Sequence, residues 1–207
     1  IGIGGGTAAG KTTIVSKLIE HYSSASTIQL DSYYKDFSNL SFEARKSINF
    51  DHPDSFDTKI LKKHLRLLLE GTKIESPRYN YKKHCRESIF NIIYPNKLIF
   101  LEGTLIFFYA EITKLMMLKI FIETPEDIRF KRRLKRDVKK RGRLPIEVRK
   151  QYNESVKPMH MQYIEPLKSV ADIIISAYSM ALPVGHSSWR QVYCRCKALK
   201  TVEWARA

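Results

Sequence analysis

Five short apolar runs punctuate this chain, and between them apolar residues recur at helical spacing. Ile1–Ile3, Thr27–Leu30, Lys97–Leu101, Leu118–Ile122 and Ala171–Ser176 read as strands, close to continuous in the way that strands buried on both faces are. Ile14, Val15, Leu18, Ile19 and Tyr22 predict one amphipathic helix, and Leu61, Leu65 and Leu68 another. Strand–helix alternation of this kind predicts an α/β fold, a doubly wound parallel sheet of about five strands covered on both faces. The stretch 75–93, with Pro77 and several aromatics, predicts a hairpin or loop excursion from that scaffold. Pro125 followed by Glu126 and Asp127 is a helix start. At ~100° per residue, Phe130, Leu134 and Val138 form a plausible core stripe, and Arg129, Arg133, Arg136 and Lys140 fall on a separate arc. This segment, 125–150, is expected to pack by the first face, to present cations on the second, and to carry them on through Arg141-Gly142-Arg143. Residues 177–207 show no clean period and are read as an atypical tail after a single domain, 1–176.

Charge sharpens this picture. The formal net charge is +15, yet residues 129–150 alone hold twelve Lys or Arg against Asp137 and Glu147. The excess is a local patch rather than a basic coat, which favours a compact polyanion such as a nucleotide over nucleic acid. No apolar run approaches the ~18 residues of a membrane span. Cys85, Cys194 and Cys196 have neither disulfide-framework nor zinc-site spacing, so a reducing, cytoplasmic setting is expected. No basic-then-apolar leader precedes the first motif, and the opening at Ile1 rather than Met predicts that residues once preceded it.

Gly5-Gly6-Thr7-Ala8-Ala9-Gly10-Lys11-Thr12 fits G-x-x-x-x-G-K-[ST] without mismatch and lies between a predicted strand and a predicted helix, with Thr13 next. Such a loop turns successive backbone N–H groups toward phosphate oxygens, and the helix N-terminus adds partial positive charge. Lys11 is placed to reach β- and γ-phosphates and the Thr12 hydroxyl to ligate Mg²⁺. The plainer alternative is a Gly-rich turn that merely joins strand to helix.

Ligands of open parallel sheets sit beyond the carboxyl ends of the strands, and two carboxylates, Asp31 and Glu102, end predicted strands here. One is needed to accept the proton of an attacking hydroxyl, and acidic oxygens are needed near the metal. Helix capping is the alternative for either. The arginines of 125–150 suit the charge of a transferring phosphoryl group, and Gly142 suits a segment that closes over substrate. A solvated basic face is the alternative.

Several blocks, in order, make the chain similar to the uridine–cytidine kinase family from Ile1 to about Ser176. They are Gly5–Thr13, Leu30-Asp31-Ser32-Tyr33-Tyr34, Asn49–Asp57 (NFDHPDSFD), Pro77–His84 (PRYNYKKH), Leu101-Glu102-Gly103, the Arg132–Asp137 and Arg141–Arg143 lid elements, and Gln151-Tyr152. The resemblance implies a P-loop nucleoside kinase with a helical lid and a base-binding excursion, using ATP and Mg²⁺ on a pyrimidine nucleoside. It implies Asp31 as base for the 5′-hydroxyl with Tyr34 nearby, Asp51 on the ribose hydroxyls, Tyr79 beside the base, His84 on its 4-position edge and Gln151 on the nucleoside. Glu102 would lie near the metal with Thr12. Arg133, Arg136 and Arg143 would offset developing charge, and Arg141 and Arg143 would meet ATP. A homo-tetramer and pyrimidine salvage are further implications.

Asn80 stands where the family has Asp. After Ile175, Ser176–Ala181 replaces the family's usual loop near the adenine and sets Tyr178 and Met180 there. The residues leave two other classes open. One is a related small-molecule kinase, of the nicotinamide riboside kinase or phosphoribulokinase type. The other is a nucleotide-binding regulatory relative without turnover.

Overall fold

A computed structural model of the chain describes residues 1–22, 24–176 and 194; the tail reading for 177–207, including Tyr178 and Met180, lies outside the described residues apart from Cys194. In chain order the elements are β1 (Gly2–Gly5), α1 (Lys11–His21), β2 (Ala25–Gln29), α2 (Phe42–Lys46), α3 (Thr58–Leu69), β3 (Ile74–Asn80), β4 (Cys85–Ile93), β5 (Leu98–Glu102), α4 (Ala110–Thr113), β6 (Lys119–Glu123), α5 (Glu126–Arg141), α6 (Pro145–Gln151) and β7 (Ile173–Ser176). Between α6 and β7 the backbone stays helical, with two π-helical stretches, Tyr152–Val156 and His160–Ile164.

Five strands form one parallel sheet in the order β2-β5-β1-β6-β7, as the apolar runs predict. Each strand begins and ends within two residues of its predicted limits. Both faces are buried, so alternate residues of one strand enter different cores. Phe100 packs on the α1 side with Ile14, Val15 and Leu18, while Leu101 packs on the α3 side with Leu61, Leu65 and Leu68. The excursion at 75–93 is the antiparallel hairpin β3–β4, a separate two-stranded sheet.

The segment after Pro125 departs from expectation. The buried side chains of α5 are Arg129, Arg133 and Asp137, whereas Phe130, Leu134 and Val138 are only half-buried. The helix is seated by its charged face, because what it packs on is the phosphate loop and not an apolar sheet surface. Phe130 instead meets the Tyr152 ring, with centroids 4.8 Å apart, and lies under the Arg149 guanidinium.

Candidate active site

The central strand β1 delivers the glycine-rich loop. Gly5 has φ +142°, and a Cβ there would stand 2.6 Å from the Ile122 carbonyl oxygen, so no larger residue fits between β1 and β6. The loop is held from beneath by α5 and the residue that leads into it: Thr124 Oγ1 donates to the Ala9 carbonyl at 2.9 Å and Arg132 Nη1 reaches the same oxygen at 3.4 Å. Lys11 curls over the loop, its Nζ donating to the carbonyls of Gly5 (3.0 Å) and Gly6 (2.9 Å). Burial lowers its pKa, and the nearby charges of Asp31 and Glu102 oppose that shift.

Glu102, the last residue of β5, is buried at 4% exposure. Thr12 Oγ1 lies 3.0 Å from each of its carboxylate oxygens, and Gln29 Nε2 donates to one of them at 3.0 Å. Burial raises the Glu102 pKa, against the pull of Lys11, Thr12 and Gln29. Gln29 is absent from the sequence reading. It becomes visible only through register, since β2 pairs with β5 so that Gln29 faces Glu102. A hydroxyl and a carboxylate are hard oxygen donors, few in number, which suits a magnesium ion that completes its shell with water and phosphate.

These groups line an open cleft of about 1000 Å³ that also takes in Thr7–Thr13, Asp31, Arg132, Arg136 and Arg141. A second, smaller and somewhat more enclosed cavity of about 50 Å³ lies alongside. Asp31, in the turn that follows β2, lines both.

The small cavity gathers the remaining predicted residues. Arg133 is its hub: Nη1 donates to Thr7 Oγ1 at 3.1 Å and lies 3.8 Å from Asp51, while Nη2 donates to Gln151 Oε1 at 3.1 Å. The same Gln151 oxygen accepts from Arg143 Nη1 at 2.6 Å, and Arg143 Nη2 lies 3.5 Å from His84 Nε2. Burial raises the Asp51 pKa, opposed chiefly by Arg133. His84 has φ +52° and is held neutral, its pKa lowered to about 4 by burial and by Arg143 and Arg141. Tyr34 and Tyr79 pack with ring centroids 4.9 Å apart, and burial raises the pKa of both. The Tyr79 hydroxyl is buried without a hydrogen-bond partner.

Three residues of this region lie inside the quoted sequence blocks without a role assigned to them there. Phe50 stacks on His84 at 5.2 Å and 22°, and only its place before Asp51 hints at it. Tyr81 carries the Arg141 guanidinium 4.3 Å over its ring. Asp137, fully buried, pairs with Arg136 at 2.7 Å and with Arg133 and Arg141 at 3.5 Å. Burial would raise its pKa, but Arg141, Arg136 and Arg133 together pull it below the usual carboxylate range. Thus Arg136 and Arg141 reach the cleft from a common anchor. Asn80 is a turn residue: Oδ1 accepts from the Lys82 and Lys83 amides, both at 3.0 Å, and Nδ2 donates to Glu87 at 3.1 Å.

Among known proteins, residues 1–182 match the model of the phosphoribulokinase/uridine kinase family. The chain is 45% identical over 177 residues to a uridine kinase of Halalkalibacterium halodurans, covering 84% of each chain. It is 40% identical over 185 residues to a uridine kinase of Deinococcus deserti, covering 88% of this chain and 89% of that one. In fold it is similar to D-glycerate 3-kinase from Cryptococcus neoformans, with a TM-score of 0.61 at 14% identity, covering 86% of this chain and 85% of that one.

Proposed function

Because this chain belongs to the phosphoribulokinase/uridine kinase family, we propose that it transfers the γ-phosphoryl group of ATP to the 5′-hydroxyl of uridine and cytidine, giving UMP and CMP. The observation that carries the reading is the position of Asp31, one carboxylate lining both the phosphate-loop cleft and the aromatic cavity. A kinase needs a proton acceptor at that boundary. That relatives at 40–45% identity are uridine kinases supports the choice of substrate.

In this reading Gly5–Thr13 cradle the triphosphate and Lys11 swings from the Gly5 and Gly6 carbonyls to the β- and γ-phosphates. Asp31 orients the 5′-hydroxyl and takes its proton, with Tyr34 beside it. Arg136, Arg141 and Arg143 offset charge on the transferring group. Mg²⁺, held by Thr12 and Glu102, would neutralise phosphate charge when bound. Asp51, kept in place by Arg133, takes the ribose hydroxyls; Tyr79 borders the base, His84 meets its 4-position edge, and Gln151 steers Arg133 and Arg143 toward the nucleoside. Residues 1–176 work as one kinase domain, with 125–150 as its lid and 75–93 as its base-binding arm. The family resemblance extends the reading to a cytoplasmic, tetrameric enzyme of pyrimidine salvage.

A coupled assay with ATP and Mg²⁺ over uridine, cytidine, nicotinamide riboside and ribulose 5-phosphate tests it. Turnover with the first two is expected. Turnover confined to either of the others, or ATP binding with no acceptor used, overturns it.

A further inference from the structure

Arg129 lines neither cavity, yet it is the residue of the lid helix whose charge is hardest to explain. It is 5% exposed. Its Nε donates to the Thr124 carbonyl at 2.9 Å, and its Nη1 is buried with no hydrogen-bond partner. Among the described residues no carboxylate pairs with it. The neighbouring buried arginine, Arg133, is in contrast paired with Asp51 and Asp137. A desolvated, unpaired charge is among the costliest features a folded chain can carry.

Its location suggests what it serves. A Cβ placed on Gly6 would be 2.9 Å from Arg129 Nη1 and 2.9 Å from His160 Cε1, so the guanidinium lies directly against the backbone of the phosphate loop. On that same stretch Lys11 rests, bonded to Gly5 and Gly6, and the Arg129 charge is felt there, since it opposes protonation of Lys11. His160 offers no counter-charge. Burial and Arg129 itself lower its pKa to about 4, and its Nε2 is engaged by Glu165 at 3.1 Å. Among the described residues nothing supplies the missing negative charge, and a bound anion would.

We infer that Arg129 is a positioning residue for the phosphates of the donor, its buried charge acting through the Gly6 backbone to hold a polyphosphate in the loop. The inference rests on the reading that this loop takes a triphosphate. It explains why α5 is seated by an arginine rather than by its apolar stripe: the helix brings a cation under the loop that solvent cannot screen.

The test compares the wild-type enzyme with Arg129→Met and Arg129→Lys, using inorganic triphosphate and ATP as probes in calorimetry and thermal unfolding. Arg129→Met should melt at or above the wild-type temperature without ligand, because an unpaired buried charge has been removed. It should bind both probes about tenfold or more weakly, the size of a unit charge acting through a partly desolvated path. The weakening should persist at roughly 0.5 M salt, where exposed pairs are screened. KM for uridine should not move. Arg129→Lys keeps the charge and should keep most of the affinity. An Arg129→Met protein that keeps the wild-type affinity for triphosphate overturns the inference, and so does one that fails to fold, since the charge would then serve the fold itself. So does an Arg129→Lys protein that loses as much affinity as Arg129→Met. If wild-type protein binds neither probe, the loop reading itself fails, and the difference is evident before any variant is made.

Discussion

Lys11 belongs to the open cleft and His84 to the small cavity, and the two are held by different means. Lys11 is fixed by backbone carbonyls of a loop that is itself clamped between β1, β6 and the start of α5. His84 sits in a turn between β3 and β4, outside the main sheet, and its neighbours come from three further segments: Phe50, Arg143 and, through Arg143, Gln151. The cleft has about 1000 Å³ and the cavity about 50 Å³, while pre-formed ligand sites run to 300–1,000 Å³. The cleft is therefore large enough for a ligand as it stands and the cavity is not, and the hairpin and α5–α6 segment that wall the cavity are not woven into the main sheet. Backbone-built recognition tolerates many side-chain changes; recognition built from side chains on separate elements does not.

The largest break in this comparison is at Asp31, the one carboxylate that lines both regions. Asp31→Asn should cut kcat by about 10²–10⁴, the usual worth of a positioned proton acceptor, while calorimetric affinity for ATP stays near wild type. Unchanged turnover would remove Asp31 from the reaction and leave the two cavities without a common proton acceptor.

Next is the small cavity alone. His84→Ala should raise KM for uridine and cytidine about 10- to 100-fold, the loss expected when a polar substrate edge and its partner are both left unsatisfied. KM for ATP should not follow. Equal losses for both substrates would mean that the cavity and the cleft are one structural unit, against the contrast drawn above.

How legible each region was in the sequence follows the same division. The loop, the five strands and the carboxylates at Asp31 and Glu102 are local patterns, each readable within a dozen residues. The burial of α5 by its charged face was not, because the helix meets a polar loop far away in sequence, and periodicity carries no information about a partner's chemistry. Gln29 needs the β2–β5 register. Phe50 and Tyr81 read as ordinary aromatics until the hairpin and the lid bring a histidine and an arginine to their faces. Asp137 stands in the Arg132–Asp137 block, but nothing local shows that it gathers Arg133, Arg136 and Arg141.

Two histidines are kept neutral, His84 at the small cavity and His160 against Gly6 beneath the loop, both with pKa lowered to about 4. Between about pH 6.5 and 4 the unfolded chain binds protons at these sites that the folded chain refuses, so stability rises with pH across that window and is lost on acidification. His160→Phe should flatten that loss by about 1–2 kcal/mol, after a discount for partial solvent access, in urea titrations at pH 7 and near pH 4.5. Parallel curves for the variant and wild type would mean that His160 is protonated in the native state.

The smallest effect concerns Asn80, where the uridine–cytidine kinases that this chain resembles have Asp. Its Oδ1 accepts from two turn amides, a role that Asp performs equally well, whereas its Nδ2 donates to Glu87 at 3.1 Å. Only an amide can do both. Asn80→Asp would set two carboxylates face to face, with Arg78, 3.2 Å from Glu87, absorbing part of the repulsion. The pair is partly exposed, so the cost should be no more than about 1 kcal/mol at pH 7. Combined with Glu87→Gln it should vanish, since the amide then lies on the other strand. Nucleoside KM should change less than about twofold in either variant, because the turn amides that shape the His84 backbone remain bonded. A large rise in KM with Asn80→Asp alone would show that the hairpin's turn and the small cavity are more tightly coupled than the contrast with the sheet-bound loop allows.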